Sequence, residues 1–173
     1  MRRITLLFAV IGMISLQSCT VHDTPAQQVI TNNNTILATT YEYTRSFTTA
    51  NNFSTLITFP QTIYPSDMAL VYRLSGSANG TDVWKLLPET YYTSTGALDF
   101  RYDFDFTQYD ASIYMDGFDL ASVTAAYRTN QVLRIVIVPS NFGNKTATKI
   151  DYNDYNAVAK AFNIDESKVI KEQ

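Results

Sequence analysis

Cysteine occurs once in the 173 residues, at Cys19, and histidine once, at His22. A single thiol makes no internal disulfide, so the fold must rest on its packed core. A lone histidine removes His-based triads and most zinc or iron sites, which draw on several imidazole or thiolate ligands. The serines and threonines therefore have no base partner. Glycine is also sparse, with six residues, and "SGSANG" lacks the lysine and following helix that a phosphate loop needs. Basic residues form no block, which argues against nucleic acid as a partner, because that binding rests on neutralising phosphates. No apolar run reaches the ~20 residues of a membrane span. Tryptophan occurs once, against twelve tyrosines and ten phenylalanines, an aromatic content that favours strands.

The longest apolar run stands at the start, in "MRRITLLFAVIGMISLQSC". Arg2 and Arg3 precede an almost wholly apolar stretch from Ile4 to Ile14, and small or polar residues follow at Ser15, Gln17 and Ser18. That order is the layout of an export signal, with residues 1–18 as the signal peptide. Leu16, Gln17, Ser18 and Cys19 resemble the lipobox of bacterial lipoproteins. The resemblance implies lipidation of Cys19, cleavage by signal peptidase II after Ser18, and acylation of the new amino terminus. One acyl chain anchors only reversibly, whereas several hold a protein to a membrane more or less permanently. Thr20 after the cysteine implies, by the same resemblance, sorting to the outer membrane. The single acid at Asp23 makes a poor surface-export tag, so a periplasm-facing domain is expected. Without Arg2 and Arg3, eleven basic residues face sixteen acidic ones, a net charge of −5.

Residues 19–39 read as the lipidated cysteine and a polar, flexible tether, with Pro25 and the Asn32–Asn34 run. "VIT" and "TILATT" could equally begin an edge strand. Residues 40–173 read as one domain, a size that suits a single core. "TYEYTRSFT" alternates Tyr41, Tyr43 and Phe47 against Glu42, Thr44 and Ser46. "NFSTLITF" puts Phe53, Thr55, Ile57 and Phe59 on one side and Leu56 on the other. "MALVYRL" is largely apolar with β-branched and aromatic content, as in a more central strand, and "QVLRIVIVP", ended by Pro139, is the most buried strand candidate. "SGSANG" reads as a turn-rich loop, and Pro88 in "DVWKLLPETYYT" as a break. "ALDFRYDFDF" is the sharpest alternation, with Leu98, Phe100, Tyr102, Phe104 and Phe106 opposed to Asp99, Arg101, Asp103 and Asp105. Asp116-Gly117 reads as a hairpin turn. Tyr155, Val158, Ala159 and Phe162 fall at helical spacing, with Asp151 or Asn153 as N-cap and Asn163 near the C-cap. "SKVIKE" closes the chain as a strand. The expected fold is mainly β: a single antiparallel β-sandwich-like domain of seven or eight short strands with a short C-terminal helix.

The segments "LVYRL", "DVWKLLPETYY", "YDFDFTQYD", "YMDGFDL" and "NQVLRIVIVP" resemble a family of short Bacteroidota lipoproteins, some with a collagen-like glycine-proline tract after the lipobox. This chain has no such tract. The resemblance implies an envelope address and one folded unit, and it carries no chemistry.

Chemistry, if present, is acidic. Asp99, Asp103, Asp105, Asp110, Asp116 and Asp119 crowd one stretch, opposed only by Arg101. Asp103 and Asp105 share a strand face, ~7 Å apart by strand rise. With Asp110 or Asp116 they could offer oxygens to calcium, which wants six to eight hard ligands. Equally, the run is a solvated strand face that discourages edge pairing. A carboxylate pair within Asp99–Asp119 could also serve a carbohydrate-active or other hydrolase, at ~5–5.5 or ~6.5–9.5 Å separation. Tyr91, Tyr92, Tyr109 and Tyr114 could stack on sugar rings or belong to the core. The sequons at Asn33, Asn52, Asn79 and Asn144 carry little meaning in a bacterial protein. The expected role is therefore a non-enzymatic interaction or structural module in the envelope with a protein or glycan partner, and a hydrolase is the alternative.

Overall fold

The computed structural model describes residues 38–140 and 149–172. The expected signal peptide, Cys19, His22, the expected tether up to residue 37, and the sequons at Asn33 and Asn144 lie outside the described residues.

Two sheets form a sandwich. Sheet A has five strands in the order β4 (Thr81–Leu86), β3 (Met68–Ala78), β8 (Gln131–Val138), β1 (Thr39–Arg45) and β9 (Ile170–Glu172). Sheet B has four, in the order β2 (Ser54–Thr58), β7 (Asp110–Gly117), β6 (Leu98–Phe106) and β5 (Glu89–Tyr92). The two apolar runs of the sequence, β3 and β8, are neighbours inside sheet A. That position explains their composition, because both faces of sheet A are covered. One face packs on sheet B through Tyr41, Tyr43, Val71, Leu133 and Ile135, against Phe100, Tyr102 and Ile113. The other packs on helix α2 (Tyr155–Ala161), where Leu70, Tyr72, Val136 and Val138 meet Tyr155, Val158 and Phe162. A four-residue helix, α1 (Ala125–Arg128), precedes β8.

Among the described residues, sheet B is covered on its inner face only, and its strands alternate accordingly. In β6, Phe100 and Tyr102 are buried and Phe104 packs against the core, while Asp99 and Asp105 are exposed and Arg101 and Asp103 are half-exposed. Ile57 and Phe59 are buried and Leu56 is 63% exposed. A test of this register follows. Phe104→Ala should cost about 3 kcal/mol, the low end of core aromatic truncation because the ring is only half-buried. Asp103→Asn should change stability by less than about 0.5 kcal/mol, as exposed substitutions do. Denaturant melts of the two variants measure both. A tolerant Phe104 beside a sensitive Asp103 would mean exchanged faces.

Four sequence expectations need correcting. Most of "SGSANG" is strand: β3 runs on to Ala78, and Asn79 (φ 52°) and Gly80 (φ 76°) alone make the turn into β4. Two successive positive φ angles are the turn whose twist matches a hairpin. Asp116-Gly117 is not a turn but the end of β7. The glycine is needed there for close approach, since a Cβ would sit 2.6 Å from the Asp99 carbonyl oxygen. Helix α2 is capped by Asp154, whose side chain accepts from the Asn156 N–H, rather than by Asp151 or Asn153. The described residues hold nine strands, not seven or eight, because the segments around Pro88 form two strands in different sheets. Asn163 (φ 54°) follows the last turn of α2 in the left-handed conformation, as expected of a helix end.

Candidate functional site

Two arginines sit inside the apolar strands of sheet A, in "LVYRL" and "VLRIVIV", and point to opposite faces. Arg73 faces sheet B. Its Nε donates to Glu89 Oε2 at 2.8 Å and its Nη2 to Glu89 Oε1 at 3.2 Å and Tyr91 OH at 2.7 Å. Nη1 donates to Gln131 Oε1 at 2.9 Å, and the guanidinium lies 4.8 Å from the Tyr102 ring centroid. Tyr91 OH in turn donates to Glu89 Oε1, and Lys85 Nζ stands 3.2 Å from the same oxygen. Gln131 Nε2 donates to the carbonyls of Ala126 and Thr129, which fastens α1 to this network. Burial pushes the Glu89 carboxyl up, but the hydrogen bonds from Arg73 and Tyr91 and the charge of Arg73 outweigh it, so its pKa ends below the ordinary 4.5.

Arg134 faces α2. Nη2 donates to Glu42 Oε2 at 2.6 Å, and Nη1 to Tyr155 OH at 2.7 Å and Glu166 Oε2 at 2.9 Å. The guanidinium lies over Trp84, 4.0 Å from the ring centroid, with Tyr155 at 4.9 Å. Lys171 Nζ reaches Glu42 Oε1 at 3.1 Å. Burial raises the Glu42 carboxyl as well, and bonds from Arg134 and Lys171 bring it below 4.5. Both clusters satisfy their charges internally. Most of their donors and acceptors are spent on each other, Arg134 Nε being a buried donor with no hydrogen-bond partner among the described residues, and the two networks tie the layers together.

The sequence signal for both was available: a charge in the middle of an apolar strand is buried, and a buried charge needs a partner. Distance hid the partners. Glu89 lies 16 residues after Arg73 but in the other sheet, and Glu42 lies on β1, 92 residues before Arg134.

The carboxylates singled out in the sequence behave differently. Cross-strand pairing sets Arg101 opposite Asp116, Asp103 opposite Tyr114, and Asp105 opposite Ser112, all on the outer face of sheet B. Arg101 Nη2 is 3.0 Å from Asp116 Oδ2, and its Nε 3.7 Å from Asp103 Oδ2. Desolvation raises the Tyr114 hydroxyl, with Asp103 and Asp105 adding to it. Asp110 accepts from Thr107 Oγ1 at 2.8 Å in the β6–β7 turn. Asp119 lies beyond β7 and accepts from the Ser122 N–H at 3.3 Å; Asp99 is exposed. Among the described residues, no group of three or more His, Cys, Asp or Glu side chains comes close enough to hold a metal ion. Asp103 and Asp105 thus share a face as expected, while Asp116 is engaged by Arg101 and Asp110 by Thr107. Of the tyrosines, Tyr91 belongs to the buried Arg73 network, Tyr92 and Tyr109 are exposed, and Tyr114 stands half-exposed among the acids.

The arrangement is a charged outer sheet face over a core cross-linked by buried arginine networks. Among the described residues no helix is long and apolar enough to cross a membrane. Compared with family models, with curated proteins and with solved structures, the chain matches none.

Proposed function

We propose that the chain is a lipid-anchored protein of the bacterial cell envelope, held through Cys19 to the outer membrane with its domain toward the periplasm. The β-domain serves there as a non-enzymatic interaction module. The anchoring rests on the charged, apolar and lipobox order of residues 1–19. One structural observation carries the module reading: the outer face of sheet B. Helix α2 covers the corresponding face of sheet A, whereas Leu56, Thr58, Thr90, Tyr92, Asp105 and Asp116 on sheet B are exposed. Carboxylates spaced along an exposed strand face, with Arg101 between Asp103 and Asp116, suit recognition of a polar or basic partner surface. If a calcium ion joins that surface, Asp103 and Asp105 are its first ligands, and the missing oxygens must come from the partner or from water.

Metabolic labelling with a fatty-acid analogue tests the anchor. The wild-type chain should take up label and fractionate with outer membrane. Cys19→Ser should abolish labelling and leave the precursor uncut, because there is no other thiol to accept the lipid. Label that persists in Cys19→Ser overturns the reading. For the surface, a photo-crosslinker at Ser112 should capture one defined partner in the intact envelope, and Asp103→Arg should remove that capture. Capture unaffected by Asp103→Arg would put the recognition face elsewhere.

A further inference from the structure

Strand β9 is attached unlike any other strand. It runs parallel to β1, whereas the remaining pairings of both sheets are antiparallel. It pairs with Tyr41–Tyr43 only, out of the seven residues of β1. Its three residues are all exposed, and none belongs to either apolar core. Parallel pairing is slightly the weaker kind, and three exposed residues bury little. The side-chain tie is the bridge from Lys171, itself 67% exposed, to Glu42.

The edge that β9 occupies is the opposite case. β1 is paired along its whole length to β8, and Tyr41 and Tyr43 are buried between the sheets. Glu42 is held in place by Arg134 from the neighbouring strand. A rigid acceptor thus carries a loosely attached occupant. We propose that β9 is a displaceable occupant of a strand-accepting edge, and that β1 takes an extended peptide from a partner in its place, with a basic side chain opposite Glu42. Adding a strand to a sheet edge gives affinity through the main chain, and one or two side-chain contacts give selectivity. Lys171 shows which chemistry Glu42 selects, and the acidic balance of residues 19–173 favours approach of a basic segment. This surface is separate from the outer face of sheet B and does not depend on the lipid anchor.

Hydrogen exchange on the intact chain gives the first test. The amides of Ile170–Glu172 should exchange at least about 100-fold faster than those of β8, as expected of a segment that opens locally. Equal protection overturns the proposal. The second test titrates a fluorescent peptide with the sequence of residues 168–173 against the intact chain and against a chain shortened to residue 168. Removal of a tethered competitor at an effective concentration near millimolar should tighten binding by about tenfold or more. Lys171→Glu in the peptide should remove that gain. Equal binding to both chains would place the peptide elsewhere, and no binding to a folded shortened chain would mean that the edge accepts no strand. A shortened chain that fails to fold, read by circular dichroism, would make β9 an integral strand. Each of these three outcomes overturns the proposal.

Discussion

Glu89→Ala is expected to cost about 3–5 kcal/mol of folding stability, because it leaves the Arg73 guanidinium buried without its counter-charge. Arg73 is 4% exposed and Glu89 8%, so water cannot replace the lost carboxylate without opening the sandwich. Against a domain stability of about 5–15 kcal/mol, that loss is about a fifth of the total or more. Replacing both partners together, Arg73→Met with Glu89→Leu, should recover most of it, since the apolar pair leaves no stranded charge. Urea melts of the single and double variants measure the difference. A Glu89→Ala chain within 1 kcal/mol of wild type would mean that Tyr91 and Gln131 alone hold Arg73. The same pair sets an acid limit. Glu89 and Glu42 have folded pKa values below the ordinary 4.5. Their contribution is therefore present in full above the unfolded value and is lost as pH falls through the folded ones. Melting temperature should fall with acid in that window, and Glu89→Gln should flatten the dependence.

Phe162→Ala should be nearly as damaging, at about 3–5 kcal/mol, the cost of emptying a buried aromatic site. Phe162 is fully buried at the end of α2, in the cluster formed with Leu70, Tyr72, Val136 and Val138. A seven-residue helix has no stability of its own, so α2 exists because this face docks. Loss of Phe162 should therefore loosen the helix as a unit. Trp84, the single tryptophan, lies 5.8 Å from the Tyr155 ring and reports that event directly. Its emission should shift to the red at denaturant concentrations where far-ultraviolet circular dichroism still records the sheets. A Trp84 transition that coincides with the sheets and costs less than 1 kcal/mol would show that Phe162 does not hold the layer.

Periodicity made part of this architecture legible. In β6 and β2 one face is wet and the other dry, so the alternation of Phe100, Tyr102 and Phe104 with Asp103 and Asp105 states outright which side chains face the core. The apolar runs around Val71 and Ile135 state only that both faces are covered. They are silent on which face meets sheet B and which meets α2, so Arg73 and Arg134 read alike although they serve different layers. The Ser75–Ala78 part of β3 is silent for the opposite reason: its side chains are exposed, and main-chain pairing leaves no apolar signature, whereas "SKVIKE" does end in strand β9. Alternation placed Asp103 and Asp105 on one strand face, as the pairing of β6 with β7 does. The pairing of Arg101 with Asp116 across two strands needed the register of β6 against β7.

The order of sheet A has a consequence for how the chain reaches its native state. Strands β5, β6 and β7 follow one another in sequence and pair as they appear, so most of sheet B assembles from local contacts. β1 has no such neighbour. It pairs with β8, where Thr39 meets Ile137, and with β9 at the far end of the described chain. During synthesis the strand carrying Tyr41 and Tyr43 must wait, with its apolar face open, until nearly all of the domain has followed it. Contacts of such long sequence separation close slowly and leave intermediates prone to association. Glu42 and Arg45 in the waiting strand place charge on an edge that would otherwise invite the wrong partner.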